Sequence, residues 1–303
     1  MLQATDLTKR FGKFTALNSI SLTVPDSCIY GLVGSNGAGK STFLRTVCGI
    51  YRADSGTVTF DGLPIYDNPE AKRQFVLVPD DLFFLHGATP ERMQQLYASV
   101  YPSFDSGRYR ELLEQFRLPA QKPVAQFSKG MRRLTATALA LASKPKLVLF
   151  DETMDGLDPI MRHIVKSIIA DDVTSRGASA VVVSHSLREL EDLCDQLALL
   201  HQGGIVLERD IGNLKTSAFK IQIAFAEPFE REHFAMLDIV HYQQQGKVAT
   251  LIVTGDRNET EATLRAMEPL LLEVLPLSLE EVFTYELQAR NYDFATLIGG
   301  DEG

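Results

Sequence analysis

Four apolar runs punctuate the first two thirds of the chain: residues 28–33 (CIYGLV), 75–78 (FVLV), 147–150 (LVLF) and 180–183 (AVVV). Unbroken apolar stretches of this length suit strands covered on both faces, as in a parallel sheet. Helical periodicity lies between them. Phe43, Leu44 and Val47 share one face after the first run, and Ile160, Ile164, Val165, Ile168 and Ile169 share one after the third. Strands that alternate with helices predict an α/β domain whose sites lie at the carboxyl ends of its strands. Each run ends in chemistry there: Gly34, Asp80-Asp81 after Pro79, Asp151-Glu152, and Ser184-His185.

The rest of the first two thirds is mixed. Residues 1–27 read as short strand pieces, among them Ile20, Leu22 and Val24 at every second position, stopped by Pro25-Asp26. Residues 57–66 read as a hairpin turned at Asp61-Gly62. Residues 89–143 are mainly helical, with starts at Thr89-Pro90-Glu91 and at Ser128-Lys129-Gly130-Met131. A serine in that place is ordinarily an N-cap. Residues 186–195 read as a helix and 196–207 as a strand pair turned at Gly203-Gly204. Near Gly212-Asn213 the pattern changes. Strands over 219–225, 239–245, 247–254 and 270–275 interleave with helices over 229–237 and 258–267. That β-α-β-β-α-β order is the ferredoxin-like one. A closing helix over 279–290 precedes a Gly-rich acidic end. The expected division is therefore 1–213, a small α+β domain over 214–290, and a flexible tail over 291–303.

The first junction carries the clearest motif. Gly34-Ser35-Asn36-Gly37-Ala38-Gly39-Lys40-Ser41-Thr42 fills G-x-x-x-x-G-K-[ST] between a strand and a helix. Glycines let the backbone curl so that successive N–H groups point at one anion, and the helix N-terminus adds partial positive charge. Lys40 would neutralise the β- and γ-phosphates of a nucleoside triphosphate, and the Ser41 hydroxyl would ligate Mg²⁺. At the third strand end, Asp151 suits a Mg²⁺-holding carboxylate and Glu152 a residue that orients water. His185, at the end of the fourth, could contact a γ-phosphate. Phe11 and Phe14 flank Gly12; one ring could stack on a purine, or both could be ordinary core.

Composition narrows the setting. The chain has 303 residues, 45% apolar, enough for two domains. Its formal net charge is −9, and residues 214–303 hold 7 basic against 15 acidic side chains. That balance disfavours a nucleic-acid surface. Cys28, Cys48 and Cys194 are far apart, which suits a reducing compartment rather than a disulfide framework. The first residues show no basic-then-apolar signal pattern, and no window nears 18 apolar residues.

With these pieces placed, residues 1 to about 213 resemble the ATP-binding subunit of an ABC transporter. Residues 34–42 correspond to Walker A, 147–151 to Walker B with Glu152 as the catalytic glutamate, and Ser128-Lys129-Gly130-Met131 to the signature, usually L-S-G-G-Q. Asp155-Gly156-Leu157-Asp158 corresponds to the D-loop, His185 to the switch histidine, and Phe11 to the adenine-stacking aromatic. The resemblance implies a P-loop NTPase fold of ABC ATPase type, with a mixed sheet core, an antiparallel β part and a helical subdomain at about 84–143. It implies ATP and Mg²⁺ as ligands, catalysis by Glu152 and His185, and metal contacts from Ser41, Asp80 and Asp151. It also implies a dimer, of two copies or with a second ATPase subunit. ATP would lie between one Walker A and the other chain's signature, which turns Ser128 from a simple cap into a phosphate contact. The partner implied is a transmembrane permease subunit at the cytoplasmic face of the cell membrane. The S-K-G-M variant and the added domain resemble exporters of drugs, antibiotics and peptides. The alternative is a soluble ABC ATPase with no transporter.

Two positions depart from the family. Asp80 stands where the family has Gln, which predicts weaker or more Mg²⁺-dependent ATP binding because a negative charge faces the phosphates. Thr153-Met154 replaces the usual Pro-Thr after the glutamate.

Overall fold

The computed structural model describes residues 1–212, 218–275 and 277–288. The expected tail over 291–303 and the break at Asn213 lie outside them. The chain divides into two compact units, Met1–Glu208 and Arg209–Gly303.

In the first unit, β1 (Leu2–Phe11) and β2 (Phe14–Val24) precede β3 (Ile29–Val33) and α1 (Lys40–Val47). Then come β4 (Ser55–Phe60), β5 (Leu63–Pro64), α2 (Pro69–Lys72) and β6 (Phe75–Val78). Three helices follow, α3 (Pro90–Val100), α4 (Ser106–Gln115) and α5 (Lys129–Ala142). The unit closes with β7 (Leu147–Asp151), α6 (Pro159–Arg176), β8 (Ser179–Ser184), α7 (Leu187–Glu191), β9 (Gln196–His201) and the greater part of β10 (Gly204–Asp210), which runs across the division after Glu208.

All four apolar runs became strands of one six-stranded sheet, ordered β10-β9-β3-β8-β7-β6. Its pairs β3–β8, β3–β9, β7–β8 and β6–β7 are parallel. A second, antiparallel sheet runs β2-β1-β4-β5. One core joins them: Leu7, Leu17 and Ile20 from the antiparallel sheet, Leu32, Leu149 and Val181 from the parallel one, and Phe43, Leu44 and Val47 of α1. The helix that follows the glycine loop is therefore held by its apolar face, so its N-terminus is fixed in space.

Residues 1–27 differ from the expected short pieces: they form two long strands of 10 and 11 residues. The pairing shifts register between Ala4 and Leu7 and again before Lys9, and Asp6 takes a positive φ of 48°. Such bulges break the period-2 alternation that marks a strand in sequence.

The second unit contains β11 (Ala218–Ala224), β12 (Asp238–Gln245), β13 (Val248–Thr254), α8 (Arg257–Arg265), β14 (Leu271–Leu275) and α9 (Leu279–Gln288). Its sheet runs β12-β13-β11-β14 with every neighbouring pair antiparallel, as in a ferredoxin-like unit. The helix expected over 229–237 is only a 3-10 turn, Arg231–Phe234. Glu230 and His233 cap it reciprocally, and Phe229 and Phe234 pack edge to face at 5.8 Å. Burying those two rings takes one turn, and the chain then enters β12.

Candidate functional site

Strand register assembles the site. Val33 lies beside Ser184, Asp151 beside Val183, and Val78 beside Phe150. The next residues, Gly34, Glu152, His185 and, two beyond Val78, Asp80, therefore emerge along one edge of the parallel sheet.

The glycine loop is tightly enclosed. A Cβ on Gly34 would lie 2.3 Å from the Leu200 carbonyl oxygen, and one on Gly39 2.6 Å from that of Ala16. Gly39 also has φ 110° as the residue before α1. Lys40 opens that helix and is 6% exposed. Its Nζ donates to the carbonyl oxygens of Gly34 at 2.7 Å and Ser35 at 3.0 Å, and lies 3.6 Å from Glu152 Oε1. Burial pushes the Lys40 amine down, opposed by the charges of Glu152 and Asp151.

Asp151 is buried at the end of β7, and its Oδ1 has no hydrogen-bond partner among the described residues. Burial raises its pKa; the nearby Ser41 hydroxyl opposes the rise, while the charges of Glu152 and Asp80 add to it. A buried carboxylate oxygen next to a hydroxyl is a donor set for a hard divalent cation, so these residues fit Mg²⁺. Glu152 sits at a positive φ of 50°, in a turn where its N–H donates to the Val183 carbonyl at 3.0 Å. His185 Nδ1 lies 2.8 Å from Glu152 Oε2. With Nδ1 protonated, the imidazole donates to Glu152 and steadies it. Ser184 Oγ donates to Glu189 Oε2 at 2.7 Å, and Glu189 pairs with Arg162 at 3.1 Å. Arg162 Nη2 in turn donates to the Leu157 carbonyl. This chain of contacts ties the histidine turn to the loop after Glu152. Neither Arg162 nor Glu189 was singled out by the sequence.

The remaining motif residues form a second cluster. Ser128 does act as the N-cap of α5, its Oγ accepting from Met131 N at 3.2 Å. Capping and an outward-facing role are compatible, because Ser128 and Lys129 are both exposed. Lys129 Nζ pairs with Asp155 at 2.7 Å and holds that carboxyl below its usual value. Gly130 passes so close to the next loop that a Cβ would meet the Gly156 carbonyl at 3.0 Å. Leu157 is buried, and Asp158 caps α6 through Met161 N at 2.9 Å. Among the described residues no hydrogen bond or ion pair joins residues 128–131 to residues 34–42.

Asp80 is engaged by Arg133 of α5, whose Nη2 donates to Asp80 Oδ1. That guanidinium meets the charge, yet the Asp80 carboxylate still acts on the site, since it adds to the rise at Asp151. Phe11 is 45% exposed at the end of β1. Tyr51 meets it edge-on at 5.4 Å, and Lys9 Nζ lies over its ring at 5.4 Å. It is therefore a braced surface ring rather than core.

A family model described as ABC transporter matches residues 17–155. A second, described as an AAA domain, putative AbiEii toxin, Type IV TA system, matches residues 121–191. The ABC transporter ATP-binding protein YtrB of Bacillus subtilis (strain 168) is 32% identical over 287 residues, 93% of this chain and 97% of its own length. The Nod factor export ATP-binding protein I of Rhizobium etli is 29% identical over 287 residues, 92% of this chain and 90% of its own. The solved structure of an ATP-binding subunit of an ABC transporter matches with a TM-score of 0.66 at 27% identity, covering 71% of this chain and 92% of that one.

Proposed function

This chain belongs to the family of ABC transporter ATP-binding proteins, the ATPases that power transport, and from that premise we propose that it works on Mg²⁺-bound ATP to drive export through a separate membrane-spanning subunit. The observation that carries the reading is the row of Lys40, Ser41, Asp151 and Glu152 at one sheet edge, with an unpartnered buried oxygen on Asp151.

In this reading the backbone N–H groups of residues 35–41 cradle the β-phosphate at the start of α1. Lys40 turns from the carbonyls of its own loop to the β- and γ-phosphates. Ser41 and Asp151 would hold Mg²⁺, which supplies charge neutralisation along the phosphates when bound. Glu152 accepts a hydrogen bond from the attacking water and draws its proton as the water's oxygen approaches the γ-phosphorus. His185 fixes the Glu152 carboxylate and presents its other nitrogen to the γ-phosphate. The adenine stacks on Phe11.

Within one chain Ser128 and Lys129 are exposed, and Gly130 and Met131 are half-buried. In a head-to-tail pair they would cover the partner's γ-phosphate, with the N-terminus of α5 adding partial positive charge. Among the described residues no helix is long and apolar enough to cross a membrane. In this reading the membrane path belongs to another chain, with this one docked at its cytoplasmic face. The similarity to a Nod factor export protein favours export, and in this reading the cargo is a drug-, antibiotic- or peptide-like molecule.

The test is purification of the tagged chain from detergent-solubilised membranes, with ATP hydrolysis assayed on the product. One polytopic protein should co-purify and stimulate hydrolysis. Recovery without a membrane protein, with hydrolysis equally fast alone, would point to an ATPase that serves no transporter.

A further inference from the structure

Helix α5 lacks a solvent face from residue 133 to residue 142, yet it begins that stretch with an arginine. Arg133 is 1% exposed. Burying a guanidinium is costly unless its charge is met, and removing its partner leaves that cost uncompensated. Two carboxylates meet it, and both approach one nitrogen. Arg133 Nη2 donates to Asp80 Oδ1 and lies 3.7 Å from Asp155 Oδ2. Its Nε and Nη1 are buried with no hydrogen-bond partner among the described residues.

One of those carboxylates follows the strand beside β7, and the other lies in the turn after Glu152. Asp80 follows Val78, which pairs with Phe150 in the strand that ends in Asp151. Asp155 closes the turn after Glu152, its N–H donating to the Glu152 carbonyl at 3.1 Å. The first turn of α5 grips the same loop twice more, through Lys129 on Asp155 and through Gly130 against Gly156. Arg133 is thus the buried point where the start of α5, the end of β6 and the turn after Glu152 meet.

We propose that Arg133 is a positioning residue for hydrolysis, one that ties Asp80 and Asp155 to α5 and so makes the placement of Glu152 follow the placement of the Ser128 end of that helix. This rests on the reading of Glu152 as the water-orienting group. When α5 shifts on contact with a nucleotide, Arg133 cannot leave both carboxylates, because its charge would then be buried alone. The loop after Glu152 must move with the helix. The pair also accounts for a carboxylate at residue 80: Asp80 meets the charge of Arg133, which is buried and costly to leave unmatched.

A double-mutant cycle on the full chain tests this. Asp80→Asn, Arg133→Gln and the double variant are compared for steady-state ATP hydrolysis and for affinity toward a fluorescent non-hydrolysable ATP analogue. Each single change should lower kcat about tenfold, with analogue affinity within about threefold of the parent. The double variant should be no slower than the slower single one, since the second change removes nothing further. Arg133→Lys should restore part of the loss, because it keeps the charge but not the fork. Losses that multiply, an unchanged kcat in Arg133→Gln, or analogue affinity that falls in step with kcat would each overturn the proposal. Failure of the underlying reading shows elsewhere, as a Glu152→Gln variant that hydrolyses ATP at the parent's rate.

Discussion

Asp151 sits in an environment that a cation would relieve. It is buried, one oxygen lacks a protein partner, and its carboxyl is pushed up mainly by burial. A native pKa above the unfolded one means that the folded chain holds the proton more tightly. The contribution of Asp151 to stability is therefore favourable in acid, below the ordinary carboxylate value, and is lost as pH rises through the raised native value. At about pH 7 the ionised side chain costs the ligand-free fold stability. Asp151→Asn should accordingly unfold about 2 °C or more above the parent at that pH when no Mg²⁺ or nucleotide is present. The gap should close on acidification, and Mg²⁺ with ATP should stabilise the parent but not the variant. Calorimetry in which Asp151→Asn unfolds below the parent at about pH 7 would contradict this. At this scale the sequence was informative about placement: Asp151, Glu152 and His185 were read at strand ends and Lys40 at the start of a helix, and the fold brings them together. Arg133 escaped because its role depends on residues 53 and 22 positions away. The available signal was indirect: no charged residue follows it in the sequence until Lys144, which marks a helix with no wet face.

At the scale of elements, α5 carries two duties at one end. Ser128 caps the helix within its own chain, and in the proposed pair it would also meet a phosphate of the partner's nucleotide. The two duties separate in Ser128→Asp. Aspartate is as good a cap as serine, so the unfolding midpoint should stay near the parent's. A carboxylate facing a γ-phosphate repels it, so ATP hydrolysis should fall by about tenfold or more. Hydrolysis at the parent's rate with stability unchanged would leave Ser128 a cap and nothing else. Elements with an unbroken apolar run or a clean helical stripe were legible from sequence, since burial on both faces or on one face leaves a plain pattern. Irregular elements were not. The bulged pairing of β1 and β2 hides its alternation, and residues 229–237 carry enough apolar side chains for a helix but are satisfied by one capped turn.

At the scale of the molecule, a P-loop unit and a ferredoxin-like unit share one chain. The order of elements predicted both, because strand and helix alternation and the β-α-β-β-α-β series each admit few topologies. Among the described residues no hydrogen bond or ion pair joins the glycine loop to residues 128–131, and the proposed reading completes the site in a pair of chains. Glu152→Gln examines this most directly. The amide keeps the shape that faces His185 and Lys40 but cannot take the water's proton. Sedimentation with Mg²⁺ and ATP should show a stable dimer that dissociates when nucleotide is removed, while hydrolysis falls at least about 100-fold. A variant that hydrolyses ATP at the parent's rate and stays a monomer at saturating ATP would contradict both the role of Glu152 and the shared site.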